Sequence, residues 1–142
     1  MRFFIFLFLL LLLNGCGDNS ISKLYDTTYR DKHIPCLKLS IFPKNVKMEK
    51  TLSNLYPFKS KCEYLLLVSY KANIVCNSNQ NAPRKTLSNF PNSYLRMEVN
   101  KNMNDLIFSY YIDLNDKVTK DDLKNGFKSI RKNLKISQRG EN

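Results

Sequence analysis

Histidine, glycine and closely spaced cysteine pairs are scarce in this sequence. The chain has one histidine, His33, and four glycines, and it contains no C-x-x-C or H-x-x-x-H spacing. Zinc sites use closely spaced Cys and His ligands, so the sequence offers no zinc motif. It also lacks a G-x-S-x-G motif and a glycine-rich phosphate-binding loop. We therefore predict no catalytic residue, no metal site and no non-covalent cofactor.

The chain is strongly basic, with 23 Lys+Arg against 12 Asp+Glu and a formal charge of +11. Nucleic acids, anionic membranes and acidic glycans all attract such proteins by the same Coulomb force. The lysines are scattered, often beside asparagines, and no run of five cations occurs. This pattern favours an ordinary solvated surface, and we predict no nucleic-acid partner.

The N-terminal residues have the pattern of a signal peptide. Arg2 is followed by an unbroken apolar run, Phe3–Leu13, and then by Asn14, Gly15 and Cys16. This run suits the apolar region of a signal peptide, about 7–15 residues, and is shorter than the ~20 residues that a transmembrane helix needs. We therefore predict a signal peptide over residues 1–15.

The end of this run, Leu13-Asn14-Gly15-Cys16, resembles the lipobox of bacterial lipoproteins, although Asn14 stands where a small or β-branched residue is commonest. The resemblance implies cleavage by signal peptidase II between Gly15 and Cys16, and a diacylglycerol, with palmitate-type chains, on the Cys16 sulfur. Two or three acyl chains anchor a protein to a bilayer almost irreversibly. The alternative is an ordinary secretory signal with a fortuitous cysteine.

The resemblance also implies a location in the cell envelope. Gly17, rather than Asp, follows Cys16, which in a bacterium with two membranes favours the outer membrane with the protein facing the periplasm. Residues 16–32 are polar and non-periodic, and they predict a lipidated cysteine followed by a tether. Residues 33–142 then form a single domain, large enough to bury a workable core.

Hydrophobic periodicity predicts the elements of this domain. Alternating apolar residues indicate strands over Cys36–Phe42 and Cys62–Asn77, and a short helix lies between Asn45 and Tyr56. A hairpin follows, with its turn at Asn102-Met103 and the facing pairs Val99 with Leu106, Met97 with Phe108, and Leu95 with Tyr110. The predicted class is α+β: an antiparallel four-stranded sheet with two helices on one face, in the order strand-helix-strand-strand-strand-helix.

The C-terminal helix is the clearest element of the sequence. Thr119 is placed to cap it, and Asp122 to complete a capping box. Gly126 weakens the helix by about 1 kcal/mol unless it permits close packing. An apolar stripe is formed by Leu123, Phe127, Ile130 and Leu134, and the lysines and arginines lie mostly outside it.

Three cysteines remain beyond Cys16, and the sequence leaves their state open. A straight strand would hold Cys62 and Cys76 too far apart to bond, so a disulfide would join Cys36 to Cys62 or to Cys76. Free buried thiols fit the pattern equally well. His33 lies three residues before Cys36, but a surface histidine is a commoner arrangement than a nucleophilic pair.

These features favour a membrane-anchored, non-enzymatic binding or assembly accessory protein, with an envelope protein or a lipid as its partner. The alternative is a thiol-dependent envelope enzyme or redox protein that uses Cys36, Cys62 or Cys76. The element order is also similar to that of the lipopolysaccharide-assembly lipoprotein of outer membranes, a likeness of topology alone.

Overall fold

A computed structural model describes residues 19–74 and 91–137. The predicted signal peptide, Gly15, Cys16 and Cys76 lie outside the described residues. The strands are β1 (Ser20–Leu24), β2 (His33–Ile34), β3 (Lys38–Phe42), β4 (Tyr64–Lys71), β5 (Ser93–Lys101), β6 (Asp105–Leu114) and β7 (Lys135–Ile136), and the helices are α1 (Val46–Leu55) and α2 (Lys120–Asn133).

Five strands form the main sheet, in the order β1-β6-β5-β4-β3, and β2 and β7 form a separate parallel pair. Both helices cover one face of the main sheet. Helix α2 lies against Met97 and Tyr110, next to its Gly126, and Asn45, which caps α1, donates to the Tyr70 hydroxyl at 3.1 Å. The core lies between this face and the helices, as the α+β prediction requires.

The predicted sheet was wrong in two respects: it has five strands rather than four, and one pair is parallel. The fifth strand, β1, lies in the expected tether, so the folded domain includes residues before 33. Its SISKL sequence shows no apolar alternation, because an edge strand is held by backbone hydrogen bonds to β6 more than by burial. Strands β3 and β4 run parallel because α1 carries the chain back to the same end of the sheet.

Residues 25–30 of the expected tether are also folded. A 3₁₀ turn over Thr27–Arg30 begins at Asp26, whose side chain accepts from the Thr28 amide, and it buries Tyr29 in the core. The backbone amide of Tyr25 donates to the Ile107 carbonyl at 2.8 Å. Residues 20–30 are therefore fixed to the domain.

The β5–β6 hairpin forms where the sequence predicts it, but the facing pairs were wrong by two residues. Val99 faces Phe108, Met97 faces Tyr110, and Leu95 faces Ile112. The connection uses three residues instead of two, and a bulge follows between Val99 and Asn100. Each irregularity shifts the register by one residue, so together they return the same side chains to the core face.

The strand predicted over Cys62–Asn77 is shorter, since β4 ends at Lys71. Asn73 then adopts a left-handed backbone with φ of 57°, a conformation that asparagine tolerates better than most residues. Beyond it, the Ile74 amide donates to the Asn92 carbonyl at 2.7 Å, so the chain still lies beside the strand that follows. The predicted loop over residues 77–92 falls almost entirely outside the described residues.

Helix α2 confirms the expected cap and apolar stripe. The Asp122 amide donates to the Thr119 hydroxyl, and the Thr119 amide donates to the Asp122 carboxylate at 2.7 Å. The four stripe residues are buried, together with Gly126. A Cβ atom on Gly126 would lie 2.8 Å from Met97 Sδ, so the glycine permits the close contact of helix and sheet.

Candidate functional site

The described cysteines form a disulfide bond between Cys36 and Cys62, which is one of the pairings that the sequence left open. Their Cα atoms are 6.0 Å apart, within the normal range for a bridge. Each cysteine lies two residues before a strand of the parallel β3–β4 pair. The bond therefore closes the base of the β3-α1-β4 crossover.

Among the described residues, the side-chain partner of His33 is a serine rather than a cysteine. His33 begins the small β2–β7 pair, where its Nε2 lies 3.0 Å from the Ser137 hydroxyl. The neighbouring Ile34 is fully buried and pairs with Ile136. His33 therefore occupies the surface position at a strand start that the sequence favoured.

The aspartates near the start of α2 have structural partners. Asp122 caps the helix, Asp121 pairs with Lys124 at 3.2 Å, and Asp113 accepts a hydrogen bond from Tyr111. Over residues 19–74 and 91–137, no three His, Cys, Asp or Glu side chains come close enough together to hold a metal ion.

One face of the main sheet carries no helix in the described part of the chain, and aromatic and charged side chains lie on it beside Leu65 and Leu67. The Tyr94 and Tyr111 rings stack with centroids 5.8 Å apart at its centre. Arg96 is the cross-strand partner of Tyr111 and forms an ion pair with Glu98. At the two sheet edges, Ile21 and Phe42 are 66% and 71% exposed.

The tyrosine stack is partly shielded from water. The pKa of Tyr111 is raised to about 12, mainly because the ring is buried and secondly because its hydroxyl is hydrogen-bonded to the negatively charged Asp113. The hydroxyl donates to Asp113 Oδ1 at 2.6 Å. Tyr111 is therefore a neutral hydrogen-bond donor, and the stack supplies a stiff aromatic surface of the type enriched at protein interfaces.

A second surface, which we call the basic stripe, runs along the exposed side of α2. Its members recur at intervals of three and four residues, so they share one side of the helix. They are Lys120, Lys124, Lys128, Arg131, Lys132 and Lys135, the last lying just beyond the helix end. The sequence shows this spacing, but its scattered lysines favoured an ordinary solvated surface.

Few acids neutralise the basic stripe. Lys124 pairs with Asp121 and Lys135 with Asp31, each at 3.2 Å. No carboxylate of the described residues lies within ion-pairing distance of the three cations Lys128, Arg131 and Lys132, all of which are exposed. These three cations therefore form an uncompensated positive patch.

The N-terminal end of the described chain lies beside this patch. Ser20, Lys128 and Lys132 line one shallow surface depression. Two residues later, the Ser22 and Ser129 hydroxyls are 2.8 Å apart, which joins β1 to α2. Ser20 lies four positions after Cys16, and a fully extended chain spans at most ~3.6 Å per residue, or ~14 Å in all.

Among the described residues, no helix is both long and apolar enough to cross a bilayer. Comparisons of the chain with protein-family models, with curated proteins and with solved structures found no significant match.

Proposed function

We propose that this chain is a lipid-anchored protein of the bacterial cell envelope that acts as a non-enzymatic binding or assembly domain. The observation that carries the proposal is the motif Leu13-Asn14-Gly15-Cys16, only four residues before the edge strand β1. A diacylglycerol on Cys16 would hold the folded domain directly against the membrane, because β1 is hydrogen-bonded to β6 and leaves little slack.

The Cys36–Cys62 bond supports export from the cytoplasm. Disulfides persist in oxidising compartments such as the periplasm and are rare in reducing ones. Both cysteines are half-buried, and their bond ties together the β3-α1-β4 crossover. A bond of this kind suits a structural role in a domain that works outside the cytoplasm.

The described surface favours binding over catalysis. His33, the one candidate base near a cysteine, has Ser137 as its neighbour, and the aspartates near α2 serve in a cap, an ion pair and the tyrosine stack. The helix-free face of the sheet presents a tyrosine stack with exposed apolar residues at its edges. In this account the partner is an envelope protein or a lipid, and in a two-membrane bacterium the domain faces the periplasm from the outer membrane.

Substitution of the proposed lipid-bearing cysteine tests the anchor. Cells that express the full chain are labelled with a palmitate analogue, and their membrane and soluble fractions are compared. We expect Cys16→Ala to abolish the label, to block maturation and to move the protein out of its tightly membrane-bound state. Cys76→Ala is the matched control and should keep both label and location. Unchanged labelling and fractionation of Cys16→Ala would exclude the anchor.

Co-purification tests the binding role. The full chain is extracted from its native membrane with a mild detergent, and associated proteins and lipids are identified by mass spectrometry. We expect a defined protein or lipid to be recovered with the wild type and lost when Arg96 and Tyr94, on the helix-free face, are both changed to alanine. Recovery of nothing specific under gentle conditions counts against a binding role.

The thiol-dependent enzyme or redox protein stays the competing prediction. It requires a cysteine that is reactive and accessible in the folded protein. Alkylation of the native chain followed by mass spectrometry should find Cys36 and Cys62 unmodified until a reductant and a denaturant are added. Rapid modification of either one under native, mildly reducing conditions would favour the redox function instead.

A further inference from the structure

We infer that the basic stripe of α2 is a docking surface for anionic phospholipid headgroups, and that it sets the orientation of the domain on the bilayer that holds Cys16. The inference deepens the proposed function, since it identifies the membrane surface itself as a ligand of the folded domain. Its centre is the uncompensated patch formed by Lys128, Arg131 and Lys132.

Charge complementarity is the first support. The three cations are exposed on adjacent turns of one helix, and Lys124 and Lys135 extend the same stripe in both directions. An anionic leaflet attracts each Lys or Arg near its surface, and the separate attractions add along a row of cations. A rigid helix that presents such a row side-on matches a flat, negatively charged surface.

Placement of the chain end is the second support. Ser20 shares a depression with Lys128 and Lys132, and the chain from Ser20 back to Cys16 extends at most ~14 Å. An α-helix with its side chains is ~10–12 Å across, so the reach of this segment is about one helix diameter. A lipid on Cys16 would therefore keep this side of α2 next to the headgroups.

The lipid anchor and the surface cations act on the domain in complementary ways. Acyl chains fix the distance to the membrane without fixing which side of the domain faces it, whereas surface cations act only within about a Debye length, ~8 Å at physiological salt. A patch beside the attachment point stays within ~14 Å of it, which is less than two Debye lengths. The anchor and the basic stripe would together select one orientation.

Vesicle binding by the unlipidated mature chain tests the basic stripe separately from the anchor. The probe is a chain beginning at residue 16 with Cys16→Ser, mixed with phosphatidylcholine vesicles or with vesicles containing roughly 30% phosphatidylglycerol. We expect binding to the anionic vesicles only, and its loss when KCl rises from about 0.1 M to about 1 M, which shortens the Debye length from ~10 to ~3 Å.

Matched charge variants locate the binding surface. Replacing Lys128, Arg131 and Lys132 by glutamine should weaken binding by about 100-fold, on the basis of roughly five-fold for each cation. Glutamine has nearly the same helix propensity, so the helix is retained, as circular dichroism can verify. The control replaces three lysines of the helix-free sheet face, Lys23, Lys38 and Lys71, and should change binding by only about two-fold.

Each other outcome overturns the inference. If both triple variants bound anionic vesicles equally weakly, the binding would depend on net charge alone. Binding of the wild-type chain to neutral vesicles would show that apolar contacts drive it. A chain that binds a DNA duplex but not anionic vesicles would make the basic stripe a nucleic-acid surface. None of these results depends on palmitate labelling of Cys16, so the anchor can fail or survive independently.

Discussion

The side-chain oxygens of Ser22 and Ser129 lie 2.8 Å apart and join the edge strand β1 to helix α2 across 107 positions of sequence. This contact matters because β1 is the element nearest to the proposed anchor, while α2 carries the basic stripe. The strand is otherwise held mainly by its pairing with β6, since its three central residues are exposed. Two hydroxyl groups thus help to fix the angle at which the chain leaves the domain.

Removal of one of these hydroxyls should loosen β1 locally. We expect Ser129→Ala to lower the stability of the strand by about 0.5–1 kcal/mol, the usual net value of such a hydrogen bond. The measurement is amide hydrogen exchange of residues 20–24, which should accelerate while the exchange of β5 is unchanged. Ser53→Ala, at an exposed position of α1, is the control and should leave β1 unchanged.

Addition of a single methyl group at Gly126 should destabilise the domain. The new Cβ would approach Met97 Sδ to 2.8 Å and Tyr110 Cε1 to 2.9 Å, and this overpacking costs about 1–3 kcal/mol. The gain of about 1 kcal/mol in helix propensity offsets only part of it. Urea unfolding should therefore show Gly126→Ala to be less stable by up to about 2 kcal/mol. Asn125→Ala, one residue away and exposed, should be neutral or slightly stabilising; a stabilised Gly126→Ala would contradict this helix packing.

Loss of the Cys36–Cys62 bond should lower the stability of the fold without changing its topology. The bond closes a loop with a sequence separation of 26, and loop entropy gives about 3.5 kcal/mol for a loop of that length. We expect the double variant Cys36→Ser, Cys62→Ser to unfold at a clearly lower urea concentration than the oxidised wild type. Reductant should lower the urea midpoint of the wild type to that of the double variant, and it should leave the midpoint of the double variant unchanged. A further loss in the double variant would point to a different disulfide.

Ionisation of Tyr111 should make the fold less stable at alkaline pH. Its pKa is raised to about 12 by burial and by Asp113, whereas an unfolded tyrosine ionises near pH 10. The unfolded state therefore loses this proton first, so the contribution is complete below pH ~10 and disappears as the pH rises towards ~12. Tyr111→Phe should make the decline of unfolding free energy over this range shallower. In Asp113→Asn, ultraviolet titration should show Tyr111 ionising at lower pH.

The elements with a strong local pattern could be predicted from the sequence. The Thr119–Asp122 cap, the buried stripe of α2 and the turn at Asn102-Met103 are set by neighbouring residues, and all three are present in the structure. The close packing of Gly126 could also be predicted, because Gly126 lies beside the apolar stripe of the helix. The α+β class was predictable because the helical and strand periods alternate cleanly along the chain.

The errors arose where tertiary contacts override local pattern. Strand β1 is polar and exposed, so no periodicity reveals it, and its place is determined by the free edge of β6. The bulge at Val99 does not interrupt the alternation of apolar and polar residues, so the sequence pattern does not predict it. The basic stripe has a visible spacing, but only the fold brings it beside Ser20 and leaves its central cations without an acidic partner.

Lipidation of Cys16 is tested most directly by the chemical state of the N-terminus of the mature protein. Intact and peptide mass spectrometry on protein purified from membranes would determine it. We predict that the first residue is Cys16, that its sulfur carries a diacylglycerol, and that residues 1–15 are gone. An unmodified Cys16, or a chain that retains its apolar leader, would contradict the account.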